Sequence, residues 1–306
     1  MKYTRILNAI CDVPWAIHPA KLEAILGVLE ARAAGILLSG EELAAIDARR
    51  KKYAGVNGSV AVLPLMGTIA QRFGAMQASG GTSTDEFGKM FDEALNNAEV
   101  GAVLMDVDTH GGSSLGLREL GDKIFAARGK KPIVAVVNSE CYSAGVWLGT
   151  AADEVVITPG GYMGSVGVVS VHLDYSKFNE EAGIKPTYIT AGKYKVEGNY
   201  DEPLGDEARA EIQRHVDACY ADFLAAVARN RKTNVNDVRK NYGEGRIFRA
   251  QEAVAIGMAD RIASFEQVLA ELNAARKPVT KRFGAERARL ALARKKGPAP
   301  RNASRK

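Results

Sequence analysis

Apolar side chains recur with two different periods along the 306 residues, and the change between them divides the chain. Leu22, Ile25, Leu26 and Leu29, then Leu43 and Ile46, fall on a helical spacing that ends in the charged run Arg49-Arg50-Lys51-Lys52. Residues 1–55 therefore read as a helical N-terminal extension. From Ser59 the pattern shortens: Val60, Val62 and Leu63 predict a strand closed by Pro64, and Ser83 or Thr84 is placed to cap a helix running to Ala98. Apolar runs at Ala102 to Val107, Ile133 to Val137 and Val155 to Ile157 then alternate with helical spacing at Leu115 to Ala127 and Ser143 to Ala152. Strand and helix in turn predict crossover units and a largely parallel sheet. Beyond the run Val166 to Leu173 the pattern predicts a short helix and a strand at Thr187 to Thr190. A long helix follows from Asp206 to Arg229, with an apolar stripe of Ile212, Val216, Cys219, Phe223 and Val227, and smaller elements reach Ala263.

Charge separates the carboxyl end from the rest. Lys277 to Lys306 holds eleven Lys or Arg against the single acid Glu286, a charge of +10, which leaves −5 on residues 1–276 of a chain whose total is +5. With Gly297, Pro298 and Pro300 and few large apolar side chains, residues 277–306 read as a basic, disordered tail with the composition of an interaction arm. A weakly acidic body argues against a nucleic-acid surface on the folded part and leaves the tail as the one segment with such a charge. Cys11, Cys141 and Cys219 form neither a paired framework nor a CxxC spacing, which suits a reducing compartment and excludes a cysteine-rich zinc site. Without a signal-peptide pattern or an apolar run long enough to cross a bilayer, the expected location is the cytoplasm.

Chemistry-bearing residues concentrate in three places. The first is Asp108-Thr109-His110-Gly111-Gly112, after a strand and before a helix, where glycines free backbone N–H groups to converge on an oxyanion or simply make a turn. The second is Tyr142-Ser143-Ala144-Gly145, a strand-to-helix junction at which Ser143 is either a nucleophile or an ordinary N-cap. It is not the G-x-S-x-G elbow, because position 141 is Cys rather than Gly. The third is the polar loop Ala191-Gly192-Lys193-Tyr194-Lys195-Val196-Glu197-Gly198-Asn199, whose lysines are either solvated or, for one of them, a base. A free lysine titrates near 10.4 and serves as a base at neutral pH only when burial lowers that value to roughly 7–8. His110 and Cys141 are the competing candidates for base and nucleophile. P-loop, dinucleotide and H-E-x-x-H patterns are absent from the sequence.

Taken in order, these places and Gly164-Ser165-Val166-Gly167, together with Val60-Ala61-Val62-Leu63-Pro64-Leu65 and Ala151-Ala152-Asp153, resemble the SppA-type signal peptide peptidases, a serine/lysine family, from about Val56 to Ile262. Lys195-Val196-Glu197-Gly198-Asn199 with Glu202-Pro203-Leu204 is most similar to the branch of tailed phages and prophages, whose members are capsid-maturation proteases. The resemblance implies an α/β fold, a ClpP/crotonase-like spiral of βαβ units, with a peptidase domain at 56–276 between the helical extension and the basic tail. It implies Ser143 as nucleophile and Lys195 rather than Lys193 as base. The N–H groups of Gly112 and Ala144, beside Gly111, would form an oxyanion hole, and Ser165 would steady the lysine. No metal or cofactor is implied. The expected partners are scaffold, portal or coat proteins and further copies of the chain, inside the immature head or in the host cytoplasm. One departure from the resemblance stands out: members of that family usually carry Ser-Pro before the glycine pair, where this chain has Thr109-His110. The alternatives on the same fold are a cytoplasmic peptidase of signal-peptide remnants or misfolded proteins and a non-catalytic capsid assembly component.

Overall fold

The computed structural model describes residues 13–22, 55–72 and 81–275. The basic tail and most of the N-terminal extension lie outside the described residues.

Five strands form the parallel heart of one ten-stranded sheet: β3 (Val60–Ala70), β5 (Ala102–Ser113), β6 (Ile133–Tyr142), β7 (Glu154–Ile157) and β10 (Arg261–Ile262). Their order is β10-β7-β6-β5-β3, continued by β2 (Gly55–Asn57), which pairs antiparallel with β3. The strands are apolar on consecutive residues because both faces are covered. Ala61, Leu63, Val103, Met105, Ile133, Ala135 and Val137 pack into the main core, whereas Val60, Val62, Leu104, Val134 and Val136 meet the opposite layer. The main core also takes Phe87 and Phe91 from α1 (Thr84–Asn96), Leu117, Leu120 and Ile124 from α2 (Leu117–Ala126), and α3 (Ala144–Gly149), which is buried throughout. Each large apolar side chain among these, such as Phe87, Leu120 or Ile124, contributes about 1.5–3 kcal/mol by leaving water. As predicted, Ser83 caps α1: its Oγ accepts the Glu86 N–H at 3.3 Å, with Asp85 and Glu86 in the first turn where the helix dipole favours acids.

Several boundaries differ from the pattern-based expectation, each for an identifiable reason. Pro64 does not end β3, which runs on to Ala70. Pairing with β2 stops at Val62, so the missing N–H of Pro64 falls where the edge carries no partner strand. Strands β5 and β6 continue past their apolar runs through bulges after Val107 and Val137, into the polar residues that carry the site. The opposite layer is α8 (Phe265–Ala275), an element the boundary at Ala263 left out although Phe265, Val268, Leu269 and Leu272 keep helical spacing. Within the segment read as helical extension, Trp15–Ile17 is a strand, β1, and only residues 19–22 of its described part turn helical.

Residues 187–190 do not form the expected strand: they are exposed, Ile189 by 96%, with no strand alongside to satisfy an extended backbone. The surrounding region holds α4 (Ser176–Glu181) and leads into α5 (Asp206–Arg231). Only the second half of α5 is embedded in the core, through Phe223, Leu224, Ala226, Val227 and Ala228, so of the expected stripe Ile212, Val216 and Cys219 remain half-buried. The remaining short elements are β4 (Thr82–Ser83), β8 (Tyr162–Gly164), α6 (Val235–Asn241), β9 (Ile247–Arg249) and α7 (Ala250–Ala255).

Candidate active site

Beyond their bulges β5 and β6 meet once more, Thr109 opposite Cys141, and their ends then part. β6 goes on to pair with β8, while the end of β5 pairs with β3 on one side and antiparallel with β1 on the other. Gly111 has φ +96°, a conformation that side chains rarely adopt, and a Cβ on it would stand 2.3 Å from Ala16 O and 3.1 Å from Ser143 Cβ. At Gly112 a Cβ would lie 1.9 Å from Ile69 O. Both positions therefore require glycine, and the backbone there can be approached closely.

Thr109 and His110 are both tied to the neighbouring turn of β3. Thr109 Oγ1 donates to Gly67 O and accepts the Gly111 N–H at 3.1 Å, so one buried hydroxyl braces the glycine pair against β3. His110 Nε2 meets Thr68 Oγ1 at 3.0 Å. Burial first, then the nearby Lys21 ammonium, lowers the His110 pKa to about 4, so the ring is neutral at physiological pH. Its hydrogen bond goes to Thr68, not to Ser143. The bracing role of Thr109 was not read from the sequence. The only signal was a β-branched hydroxyl two residues before a glycine that needs an anchor.

Ser143 sits at the junction of β6 and α3 with φ 52° and ψ −110°, and its side chain makes no cap hydrogen bond to the helix. The N-cap reading therefore does not explain it, and a non-glycine residue held in such a region costs about 1–3 kcal/mol. The surroundings supply the restraint. Ser143 N–H donates to Gly164 O at 2.8 Å and Ser143 Oγ donates to Gly167 O at 3.1 Å. Gly145 lets α3 close on β5, where a Cβ would come within 2.5 Å of Thr109 Cγ2. The far end of α3 is anchored by Arg128, which donates to Thr150 O at 2.7 Å and Ala151 O at 2.9 Å, and by Asn230 Nδ2, 3.1 Å from Thr150 Oγ1. Ala144, at the first helical position, has no intrahelical acceptor for its N–H. Cys141 is an unpaired, fully buried thiol, and burial pushes its pKa far up, which keeps it protonated and inert.

The structure thus brings Ser143, Gly111 and Gly112 together and places Ala144 beside them. Ser165 is buried in a left-handed conformation with its N–H on Arg246 O at 2.7 Å. Lys195 is exposed in the turn 192–199, and no hydrogen bond joins it to Ser143 or Ser165 among the described residues. Lys193 Nζ donates to Tyr194 OH at 2.9 Å and to Glu207 Oε1 at 3.2 Å, and these two partners, Tyr194 first, hold its pKa above the ordinary lysine value. A lysine held protonated in this way is less often the neutral amine that general-base catalysis requires. Among the described residues no cluster of three or more His, Cys, Asp or Glu forms a metal site, and no helix is long and apolar enough to cross a membrane.

Comparison with known proteins matches the model of peptidase family S49 to residues 126–279. The chain is 31% identical over 274 residues to the head-tail preconnector protein GP5 of Enterobacteria phage P21, covering 89% of this chain and 54% of that protein. It is 33% identical over 232 residues to the capsid assembly protease C of Escherichia phage lambda, covering 76% and 52%. The chain spans about half the length of these two relatives. Among solved structures, a crotonase-type enoyl-CoA hydratase/isomerase of Legionella pneumophila aligns over 81% of this chain and 83% of its own, with TM-score 0.43 and 12% identity.

Proposed function

The chain belongs to peptidase family S49, and from that premise we propose that it is a serine endopeptidase that uses Ser143 as nucleophile and Lys195 as general base. The observation that carries this reading is Ser143 itself: a fully buried serine in a restrained, positive-φ turn, facing a glycine-rich strand end. In the proposed reaction Ser143 Oγ adds to the substrate carbonyl while a neutral Lys195 amine accepts its proton. The N–H groups of Gly112 and Ala144, beside Gly111, receive the oxyanion. The protonated amine then returns its proton to the leaving nitrogen, and water, deprotonated by the same base, hydrolyses the acyl-enzyme as the proton passes back to Ser143 Oγ. Ser165 steadies the lysine. The proposed chemistry draws on no metal or organic cofactor.

Lys195 is supplied, in this reading, by a neighbouring copy. Two observations support that choice: Lys195 is exposed in the single chain, and the segment that carries it presents Ile184, Tyr188, Ile189 and Tyr194 to solvent. Docking of a second copy would bury that apolar surface and desolvate the lysine, which is what a lysine base needs. The named roles of the two phage relatives support scaffold, portal or coat proteins of a phage head as substrates. The test is labelling with a fluorophosphonate probe, with the modified peptide identified by mass spectrometry. Modification of Ser143, lost in Ser143→Ala, is expected; an assembled protein that leaves Ser143 unlabelled would overturn the reading.

A further inference from the structure

A strand of this chain lies beside Ser143, at the end of β5. β1 lies between the end of β5 and the segment that follows Gly167, bonded on both sides. Trp15 stands opposite Ser113, Ala16 opposite Gly112 and Ile17 opposite Gly111. On its other edge Trp15 exchanges both main-chain bonds with Val169, N to O at 2.8 Å and 2.9 Å. Ser114 N–H donates to Pro14 O at 3.2 Å and His18 N–H to His110 O at 3.0 Å. Bonded and non-bonded pairs alternate along an antiparallel ladder, so Ala16 and Gly112, midway between those two, occupy the bonded position. The Ala16 carbonyl is thereby directed at the Gly112 N–H, the donor proposed for the oxyanion. That carbonyl and Ser143 Cβ also crowd the same point beside Gly111.

Side chains follow the same arrangement. Ala16 is small and fully buried at the turn, while Trp15 and Ile17 are buried with Leu22 in a satellite cluster against Val13, Val169 and Val171, separate from the main core. A strand held in this way has the disposition of a bound peptide substrate: main-chain bonds along both edges, a small residue at the nucleophile and bulky apolar neighbours in pockets.

We propose that Pro14–His18 is an internal occupant of the substrate cleft and that Ala16–Ile17 is a self-processing bond. The proposal rests on the reading of Ser143 and Gly112 given above. Ser143 Oγ leaves its bond to Gly167 O and adds to the Ala16 carbonyl carbon, its proton passing through the base to the Ile17 nitrogen as the C–N bond breaks. Water then cleaves the ester, leaving an Ala16 carboxylate on the released fragment and a free amine at Ile17 on the remaining chain. Loss of the fragment that ends at Ala16 opens its part of the strand position to substrates, which the geometry selects as extended segments with a small residue between bulky apolar ones.

Intact-mass and N-terminal analysis of the full chain, incubated at concentrations where it assembles, tests this. A product beginning at Ile17 is expected from the wild type and from Ala16→Ser. None is expected from Ser143→Ala, and processing at least about tenfold slower is expected from Ala16→Phe, whose ring does not fit beside Ser143. Fluorophosphonate labelling of the same samples separates the two readings. A wild type that labels at Ser143 and cleaves an added protein substrate, yet keeps Ala16–Ile17 intact, overturns the self-processing proposal alone. Absence of labelling overturns the underlying assignment of Ser143. Processing that persists in Ser143→Ala overturns the proposal by showing that another protease makes the cut.

Discussion

Ser143 stands in a turn braced from every side, whereas Lys195 stands on a segment, residues 182–205, without helix or strand and largely open to solvent. The serine turn is fixed by the Gly164 and Gly167 carbonyls, by the glycines that let β5 and α3 close together, and by Arg128 and Asn230 at the far end of the helix. The lysine loop has its own internal bonds, such as Lys195 N–H to Gly192 O at 3.2 Å and Tyr188 OH to the Asp201 carboxylate, but nothing that orients the amine toward a serine. The contrast is that the proposed nucleophile is held in place by folding, whereas nothing in the single chain holds the proposed base. A nucleophile needs its strained geometry held in advance, while a lysine base needs desolvation, which a second copy can bring.

The comparison breaks most sharply at the two functional groups. Ser143→Ala is expected to lower peptide hydrolysis by roughly 10⁴-fold or more, and Lys195→Ala by about 10²–10⁴-fold, with Tm unchanged for the lysine variant because its side chain is exposed. Lys193→Ala retains activity, since Lys193 serves Tyr194 and Glu207. Steady-state kinetics beside thermal melts check all three. A Lys195→Ala enzyme with wild-type turnover, or a Lys193→Ala enzyme without any, would refute the choice of base.

Ile189→Glu comes next. The side chain is 96% exposed, so the charge costs the single chain nothing, but at the proposed contact between copies it would be unpaired and desolvated. Sedimentation is expected to shift toward monomer and activity to fall about 10–100-fold at unchanged Tm.

A smaller effect separates the stability of the serine region from its chemistry. Asp106 on β5 is buried, and desolvation raises its pKa from 3.8 to about 6, against the lowering influence of the Asn138 amide, whose Nδ2 donates to Asp106 Oδ1 at 3.1 Å. A raised carboxyl pKa means that the native state holds the proton more tightly than the unfolded chain, so this contribution is present at low pH and is lost as pH rises from about 4 through about 6. Asp106→Asn does not titrate. It is expected to exceed the wild type in stability by about 1–3 kcal/mol at pH 8, to match it near pH 3, and to leave kcat/KM within about twofold. Denaturant unfolding at the two pH values measures the difference.

How much of this was legible before the structure follows the same division. The glycine pair and Ser143 could be found because strand, glycine and helix signals punctuate the chain where the backbone turns. The extension of β5 and β6 into polar residues could not, because the bonds that hold those ends come from β1, β3 and β8, distant in sequence. Trp15–Ile17 was hidden as three residues ahead of a helical pattern. Thr187 to Thr190 reads as a strand by residue type, yet an extended backbone without a neighbour forms none. Lys195 was identified by its place in a motif, because a solvated loop carries no periodicity that marks a base.

The most direct test of assembly as the missing half is complementation. Ser143→Ala and Lys195→Ala chains, each inactive alone, are mixed under conditions that exchange subunits, and peptide hydrolysis is followed against each variant by itself. If the lysine of one copy serves the serine of the next, the mixture regains activity in the fraction of sites that random pairing makes whole. A mixture shown to co-assemble and yet as inactive as its components would contradict the account and place both groups of the dyad in one chain.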